Sequence, residues 1–349
     1  MKTITPLRWL KLVVLSISFT LLALPASASL IFSDIYIFGD SLSDTGNTRA
    51  TVPLGSLGPV AALAGYGPNG RFSNGNLWHE YLADDLGLTS SRSTGGGNNF
   101  AYGGARIDNA TGVSTGVLNQ YNQYLNRLNG TSFDSDALYV AWAGGNDMRD
   151  LVGAANPLMM VTSIIGNFQL MLTDMIARGA MTLLVPNLPD LGSIPEFAST
   201  ADSQSGTEVS LLWNDLLEEM LIDLSKQSLA QIYMLDVYSI FDNILANPLS
   251  EGFTNTTDEC RSVTGGILAT ERSCANASQY VFWDEIHPTT RAHSILGREA
   301  YALLQSGVTV YQQVPEPAGI ALFVLAMAYF VRPANFTKAK AAKQLLTGQ

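Results

Sequence analysis

A serine hydroxyl is a poor nucleophile until a base takes its proton, and histidine is the usual base because it titrates near working pH. This chain has only three histidines, His79, His287 and His293. His79 sits in the helical pattern Asn-Leu-Trp-His-Glu-Tyr-Leu-Ala, and His293 falls inside the pattern of the last helix. His287 lies at a loop-to-helix junction, just before Pro288 and three residues after Asp284. That spacing brings a carboxylate and an imidazole together within one turn, so that the acid orients the ring. Ser41, in Phe38-Gly39-Asp40-Ser41-Leu42-Ser43-Asp44, is the candidate nucleophile. Acyl transfer also needs donors where negative charge develops. The N–H of Ser41, the N–H of Gly104 in Gly103-Gly104 and the side chain of Asn146 in Gly144-Gly145-Asn146-Asp147 are of the right kind. Taken singly, each has a plain structural explanation: glycine pairs make turns, and asparagine caps helices. Their joint occurrence in one chain is what points to chemistry.

The elements that would position these groups can be read from hydrophobic periodicity. Strands are expected at Ile35–Phe38, Ala137–Ala143, Met181–Val185 and Ile232–Val237. Helices are expected at Leu77–Leu86, Leu158–Arg178, Glu208–Gln227 and Thr290–Gln305. Strands that alternate with helices and are apolar throughout imply a parallel sheet covered on both faces. In such sheets the site lies beyond the carboxyl ends of the strands. Ser41 follows the first expected strand directly, and Asn146 follows the second. Other chemistries lack their signatures: there is no Gly-x-Ser-x-Gly elbow at Ser41, no His-Glu-x-x-His and no phosphate-binding loop. Metal-dependent phosphoesterase chemistry needs more His and Asp ligands near the strand ends than the chain offers. No metal or cofactor is expected. Tyr66, Phe72, Trp78 and Tyr102 either line an acyl pocket or fill the core, and core is the expectation for most.

The ends read as addresses. Lys2, Arg8 and Lys11, the apolar run Leu12–Leu24 and Pro25-Ala26-Ser27-Ala28 make residues 1–28 a secretory signal peptide. Near the other end, Val314-Pro315-Glu316-Pro317 precedes an apolar span at 318–331 and a basic tail with Arg332, Lys338, Lys340 and Lys343. The span is short against the roughly 20 residues of a bilayer-crossing helix. One hydrolase domain is expected between them, over residues 30–312. The chain holds 19 Lys and Arg against 30 Asp and Glu. Seven of the bases and one acid lie in the two end segments, which leaves 12 against 29 and a net −17 between them. Such a surface repels nucleic acid and anionic lipid. The only cysteines, Cys260 and Cys274, are expected to pair in an oxidising compartment. For a loop of about 15 residues that bond is worth about 3 kcal/mol in the chain-entropy account.

Gly39-Asp40-Ser41-Leu42-Ser43-Asp44-Thr45-Gly46-Asn47 resembles the first block of the GDSL (SGNH) esterases and lipases. Asn99–Ala105 resembles their second block, Gly144–Asp147 the third and Asp284–His287 the fifth, in family order. Pro186–Gly192, Asn255-Thr256-Thr257 and Phe282-Trp283 are similar to the family as well. The resemblance implies a three-layer α/β/α, flavodoxin-like fold. It implies Ser41 as nucleophile, His287 as base and Asp284 as orienting acid. The oxyanion hole is implied at Ser41, Gly104 and Asn146, with Gly103 as the alternative to Gly104. The substrate would be a small-molecule, lipid or polysaccharide ester. An acyltransferase on the same acyl-enzyme, or a non-catalytic surface protein that keeps the fold, are the alternatives. Residues 313–349 resemble a PEP-CTERM sorting signal. That implies signal peptidase and an exosortase as processing partners and transient membrane association through the C-terminal span, which is either cleaved or retained. The destination would be the cell surface or matrix of a Gram-negative bacterium.

Overall fold

The computed structural model describes residues 30–51, 65–66, 69–108, 115–264 and 270–312. The expected signal peptide (1–28) and sorting segment (313–349) lie outside the described residues. Four parallel strands form the central sheet: β1 (Ile35–Gly39), β2 (Leu138–Trp142), β3 (Thr182–Pro186) and β4 (Gln231–Leu235), side by side in that order. Every residue of β2 and β3 is buried, as the apolar runs require when both faces are covered. The segment 98–102 runs beside the free edge of β1. It is tied there by Ile37 N–H to Asn98 O (3.1 Å), Phe100 N–H to Ile37 O (2.7 Å) and Tyr102 N–H to Gly39 O (3.2 Å). With this strand-like segment counted, the second strand in sequence lies outside the first, and the order is that of a flavodoxin-like sheet.

Helices cover both faces, giving the expected three-layer α/β/α architecture. In chain order they are α1 (Asn47–Thr51), α2 (Trp78–Asp85), α3 (Val117–Leu128), α4 (Gly145–Leu151), α5 (Leu158–Ala177), α6 (Pro195–Ala198), α7 (Ser203–Lys226), α8 (Val237–Ala246) and α9 (Thr290–Ser306). On one side α9 packs on α2; on the other α5 packs between α3 and α7. Helix α5 is long and apolar enough to cross a bilayer by length and composition. Its Val161, Ile165, Phe168, Met171, Leu172 and Met175 nevertheless form one buried stripe that joins the core.

Two short pairs complete the fold near the site: β5 (Asn255–Glu259) with β8 (Tyr280–Phe282), and β6 (Arg261–Thr264) with β7 (Thr270–Ser273). The expected disulfide joins Cys260 to Cys274. Two boundaries differ from expectation by more than one residue. The fourth strand ends at Leu235, because the Asp236 carboxylate accepts the Ser239 N–H and starts α8 at Val237. The long amphipathic helix begins at Ser203 rather than Glu208.

Candidate active site

The site is built at the carboxyl ends of β1 and β2, where the chain leaves the two strands toward opposite edges of the sheet. Strand β1 ends at Gly39, where no larger residue fits: a Cβ there would lie 2.7 Å from the Trp142 carbonyl oxygen. The buried Gln120 amide grips both polar groups of Gly39, accepting its N–H (2.9 Å) and donating to its carbonyl (2.8 Å). The chain then turns sharply, with Ser43 N–H donating to Asp40 O (3.1 Å) and Leu42 N–H to Asp40 Oδ1 (2.9 Å). Ser41 sits in the middle of that turn.

Its hydroxyl meets His287, with Oγ to Nε2 at 2.8 Å. The other ring nitrogen of His287 faces Asp284, at 2.8 Å from Oδ2 and 2.9 Å from Oδ1. The backbone N–H groups of Ile286 (2.9 Å) and His287 (2.7 Å) also donate to Asp284 Oδ1. Residues 284–287 thus form a turn closed by its own carboxylate, which fixes the acid before it meets the ring. Burial pushes Asp284 upward. The His287 charge and the hydrogen bonds from His287 and Tyr66 outweigh it and hold the carboxyl at about 2. Asp284 is therefore ionised across the working range. The Thr289 side chain caps α9, and Phe72 packs its ring 5.3 Å from that of His287.

The other two histidines hydrogen-bond elsewhere. His79 Nε2 donates to the Ser43 carbonyl (2.9 Å), and His293 Nδ1 accepts the Trp78 N–H (3.3 Å). Both are fully buried, and burial lowers them to about 4 and about 3, so both are neutral supports.

The candidate oxyanion donors come from three segments. The amides of Ser41 and Gly104 have no acceptor among the described residues. Gly103 N–H is already committed to Asp44 Oδ2 (2.9 Å) and Thr48 Oγ (2.8 Å), which favours Gly104 over its neighbour as the available donor. Asn146 stands in the first turn of α4 and donates one side-chain hydrogen to Ala105 O at 3.0 Å. That leaves the other hydrogen uncommitted. Asp147 Oδ2 accepts Ile107 N–H at 3.2 Å, so α4 holds the Gly104 segment at a second point.

Asp40, Asp44 and Tyr66 also belong to this site, Tyr66 through its hydroxyl rather than as a wall of the acyl pocket. Burial pushes Asp40 up to about 6, against the Leu42 N–H bond that lowers it. Asp44, wholly buried, receives the N–H groups of Gly46, Asn47 and Thr48 and so caps α1. Asp44 lies two positions before the N-cap Gly46, so its carboxylate closes an Asx-type turn that leads into α1. Beside Ser41 opens a narrow cleft, lined on its apolar side by Leu42, Trp142, Leu188, Ile194, Phe241 and Ile286. None of Tyr66, Phe72, Trp78 and Tyr102 lines it; Phe72, Trp78 and Tyr102 are buried. Among the described residues no three His, Cys, Asp or Glu side chains converge as a metal site requires.

The chain is similar to several known proteins. A GDSL esterase/lipase of Arabidopsis thaliana is 28% identical over 316 residues, covering 75% of this chain and 85% of that protein. The phosphatidylcholine-sterol acyltransferase of Aeromonas hydrophila is 26% identical over 322 residues, covering 79% of this chain and 91% of that protein. Among solved structures, LAE5, an alpha/beta hydrolase enzyme from the metagenome of Lake Arreo in Spain, is 15% identical with a TM-score of 0.42, covering 78% and 97%. The family described as GDSL-like Lipase/Acylhydrolase matches residues 35–300. Because that match runs from the first strand of the sheet into its last helix, the chain belongs to the GDSL-like lipase/acylhydrolase family and is a hydrolase of ester bonds.

Proposed function

We propose that the chain is a carboxylic ester hydrolase that works through an acyl-enzyme on Ser41. The observation that carries this reading is the unbroken series Ser41 Oγ, His287 Nε2, His287 Nδ1, Asp284, with both contacts at 2.8 Å. Ser41 attacks the ester carbonyl while His287 takes its proton. Asp284 holds the ring in the tautomer whose Nε2 is free to accept. The tetrahedral oxyanion is met by the N–H groups of Ser41 and Gly104 and the Asn146 amide. His287 then protonates the departing alcohol and activates water against the acyl-enzyme. The apolar cleft beside Ser41 supports an aliphatic acyl group as the part of the substrate held by the protein.

The relative named as a phosphatidylcholine-sterol acyltransferase favours a second reading, in which an alcohol replaces water as acyl acceptor. The proposal also includes export: signal peptidase acting after residue 28, an exosortase acting on 313–349, transient membrane association through the 318–331 span, and a destination at the surface or matrix of a Gram-negative cell. The Cys260–Cys274 disulfide supports an oxidising compartment.

A series of p-nitrophenyl esters of rising chain length, given to the wild-type protein and to Ser41→Ala, tests the reading. The wild type is expected to prefer chains longer than acetyl, and Ser41→Ala to lose hydrolysis of every ester while keeping its unfolding temperature. Full hydrolysis by folded Ser41→Ala overturns the assignment. Including a competing alcohol and analysing products separates transfer from hydrolysis.

A further inference from the structure

Asp284 carries one contact that a serine–histidine–aspartate series does not need. The Tyr66 hydroxyl donates to Asp284 Oδ2 at 2.5 Å, the same oxygen that faces His287 Nδ1 at 2.8 Å. A hydroxyl that close to an ionised carboxylate is a short, charge-assisted hydrogen bond. Tyr66 is far from Asp284 in sequence, so the chain has been folded specifically to deliver it. Its backbone is bridged to Arg71, through Tyr66 N–H to Arg71 O and Gly70 N–H to Tyr66 O (3.1 Å). Arg71 is in turn clamped to α2 by both oxygens of Glu80, at 2.7 and 2.6 Å.

The ring is fixed from its other sides. Trp283 meets it edge-on at 6.0 Å and Phe72 at 6.4 Å. The Arg261 guanidinium lies 4.1 Å over its face. A cation there draws electron density from the ring and makes the phenol a stronger donor. Arg261 is buried, follows disulfide-bonded Cys260 directly, and donates its N–H to Trp283 O at 2.6 Å, one residue before Asp284. The N–H groups of Cys260 and Arg261, donated to Phe282 O (3.1 Å) and Trp283 O, therefore hold the strand that supplies the cation against the segment that supplies the acid.

The geometry points to Tyr66 as a positioning residue of the active site, which through its hydroxyl fixes the Asp284 carboxylate and shares its charge and, through Asp284, tunes the electrostatic surroundings of His287. This inference rests on the reading of Ser41, His287 and Asp284 given above. Tyr66 does not touch the reacting atoms. Its hydroxyl shares the negative charge of Asp284, which tempers the pull of that carboxylate on the imidazolium proton. Without the hydroxyl the carboxylate turns its full charge on the imidazolium that forms in turnover. The charged and titratable groups around this pair are Asp40 after β1, Glu285 in the turn and His293 on α9, with Arg149 on α4 near Asp40 and Glu285 and Arg261 on β6 over the Tyr66 ring.

The test is Tyr66→Phe in the full chain, with the kcat/KM pH profile as readout. The expected result is a kcat lower by about threefold to tenfold, KM little changed, and the acid limb moved upward by about 0.5 pH unit. Proton NMR supplies a second measurement. The wild type is expected to have two downfield resonances, from His287 Nδ1–H and the Tyr66 hydroxyl, and the variant one. An unchanged profile in folded Tyr66→Phe overturns the inference. So does a single downfield resonance in the wild type, a result that holds even if the variant fails to fold. If Ser41→Ala is inactive while Tyr66→Phe matches wild type, the role of Tyr66 alone is wrong; if Ser41→Ala is active, the active-site reading itself fails.

Discussion

Asn146 stands at the start of α4 with one amide hydrogen bonded to Ala105 O and the other uncommitted. If that second hydrogen meets the oxyanion, Asn146→Ala lowers turnover by about 10²–10³ with little change in KM. A loss below tenfold in steady-state assays would make Asn146 only a tie to the Ala105 segment. Its neighbour Asp147 gives a prediction about stability. Burial, reinforced by the charge of Asp108, raises Asp147 to about 7 against the Ile107 N–H bond, while an unfolded aspartate titrates near about 3.9. The folded state binds this proton more tightly. The contribution is full below about pH 4 and is lost as pH rises through about 7. Asparagine keeps an acceptor for Ile107 and cannot ionise. Asp147→Asn is therefore expected to raise the unfolding temperature more at pH 8.5 than at pH 5. An equal change at both values contradicts the burial argument.

At the scale of elements, the short helix α4 depends on a glycine that no other residue replaces. Gly144 has φ +103°, and a Cβ there would lie 2.4 Å from the Trp213 ring. Gly144→Ala is expected to cost about 1–3 kcal/mol in urea unfolding and to reduce activity, because shifting the start of α4 moves Asn146. Wild-type stability would mean that Trp213 yields freely. The four sheet strands were legible in the sequence because buried parallel strands are continuous apolar runs, and the triad residues were legible because they follow such strands or precede a capped helix. Other elements gave no such signal. Helix α3 is rich in Asn, Gln and Tyr, which hides its buried face of Val117, Gln120, Tyr121 and Tyr124. Strand β5, Asn255–Glu259, is polar throughout and is set by pairing with β8 rather than by its own pattern. Helix α8 was hidden because Val237 reads as a continuation of β4 until Asp236 is seen as a cap. Tyr66 was read as an aromatic of core or pocket; its bond to Asp284 depends on long-range contacts that no spacing records.

For the whole molecule, the edge segment 98–102 decides where the site lies. Asn98 and Asn99 begin it and glycines end it, so it lacks a strand pattern, yet its pairing with β1 sets the reversal of strand order beside Ser41. That reversal opens the cleft, and the loop after β3 lines it. Leu188 is held there by its N–H and carbonyl bonds to the Asn214 side chain, both at 2.8 Å. Three distant stretches of chain thus converge on one hydroxyl, with the nucleophile on the first and its base near the end of the domain. The most direct test of this convergence is mass spectrometry after fluorophosphonate labelling of the full chain, with His287→Ala alongside. The account expects one adduct, on the peptide that contains Ser41, formed quickly in the wild type and at least about a hundredfold more slowly without His287. An adduct on another residue, or an equal rate without His287, would contradict it.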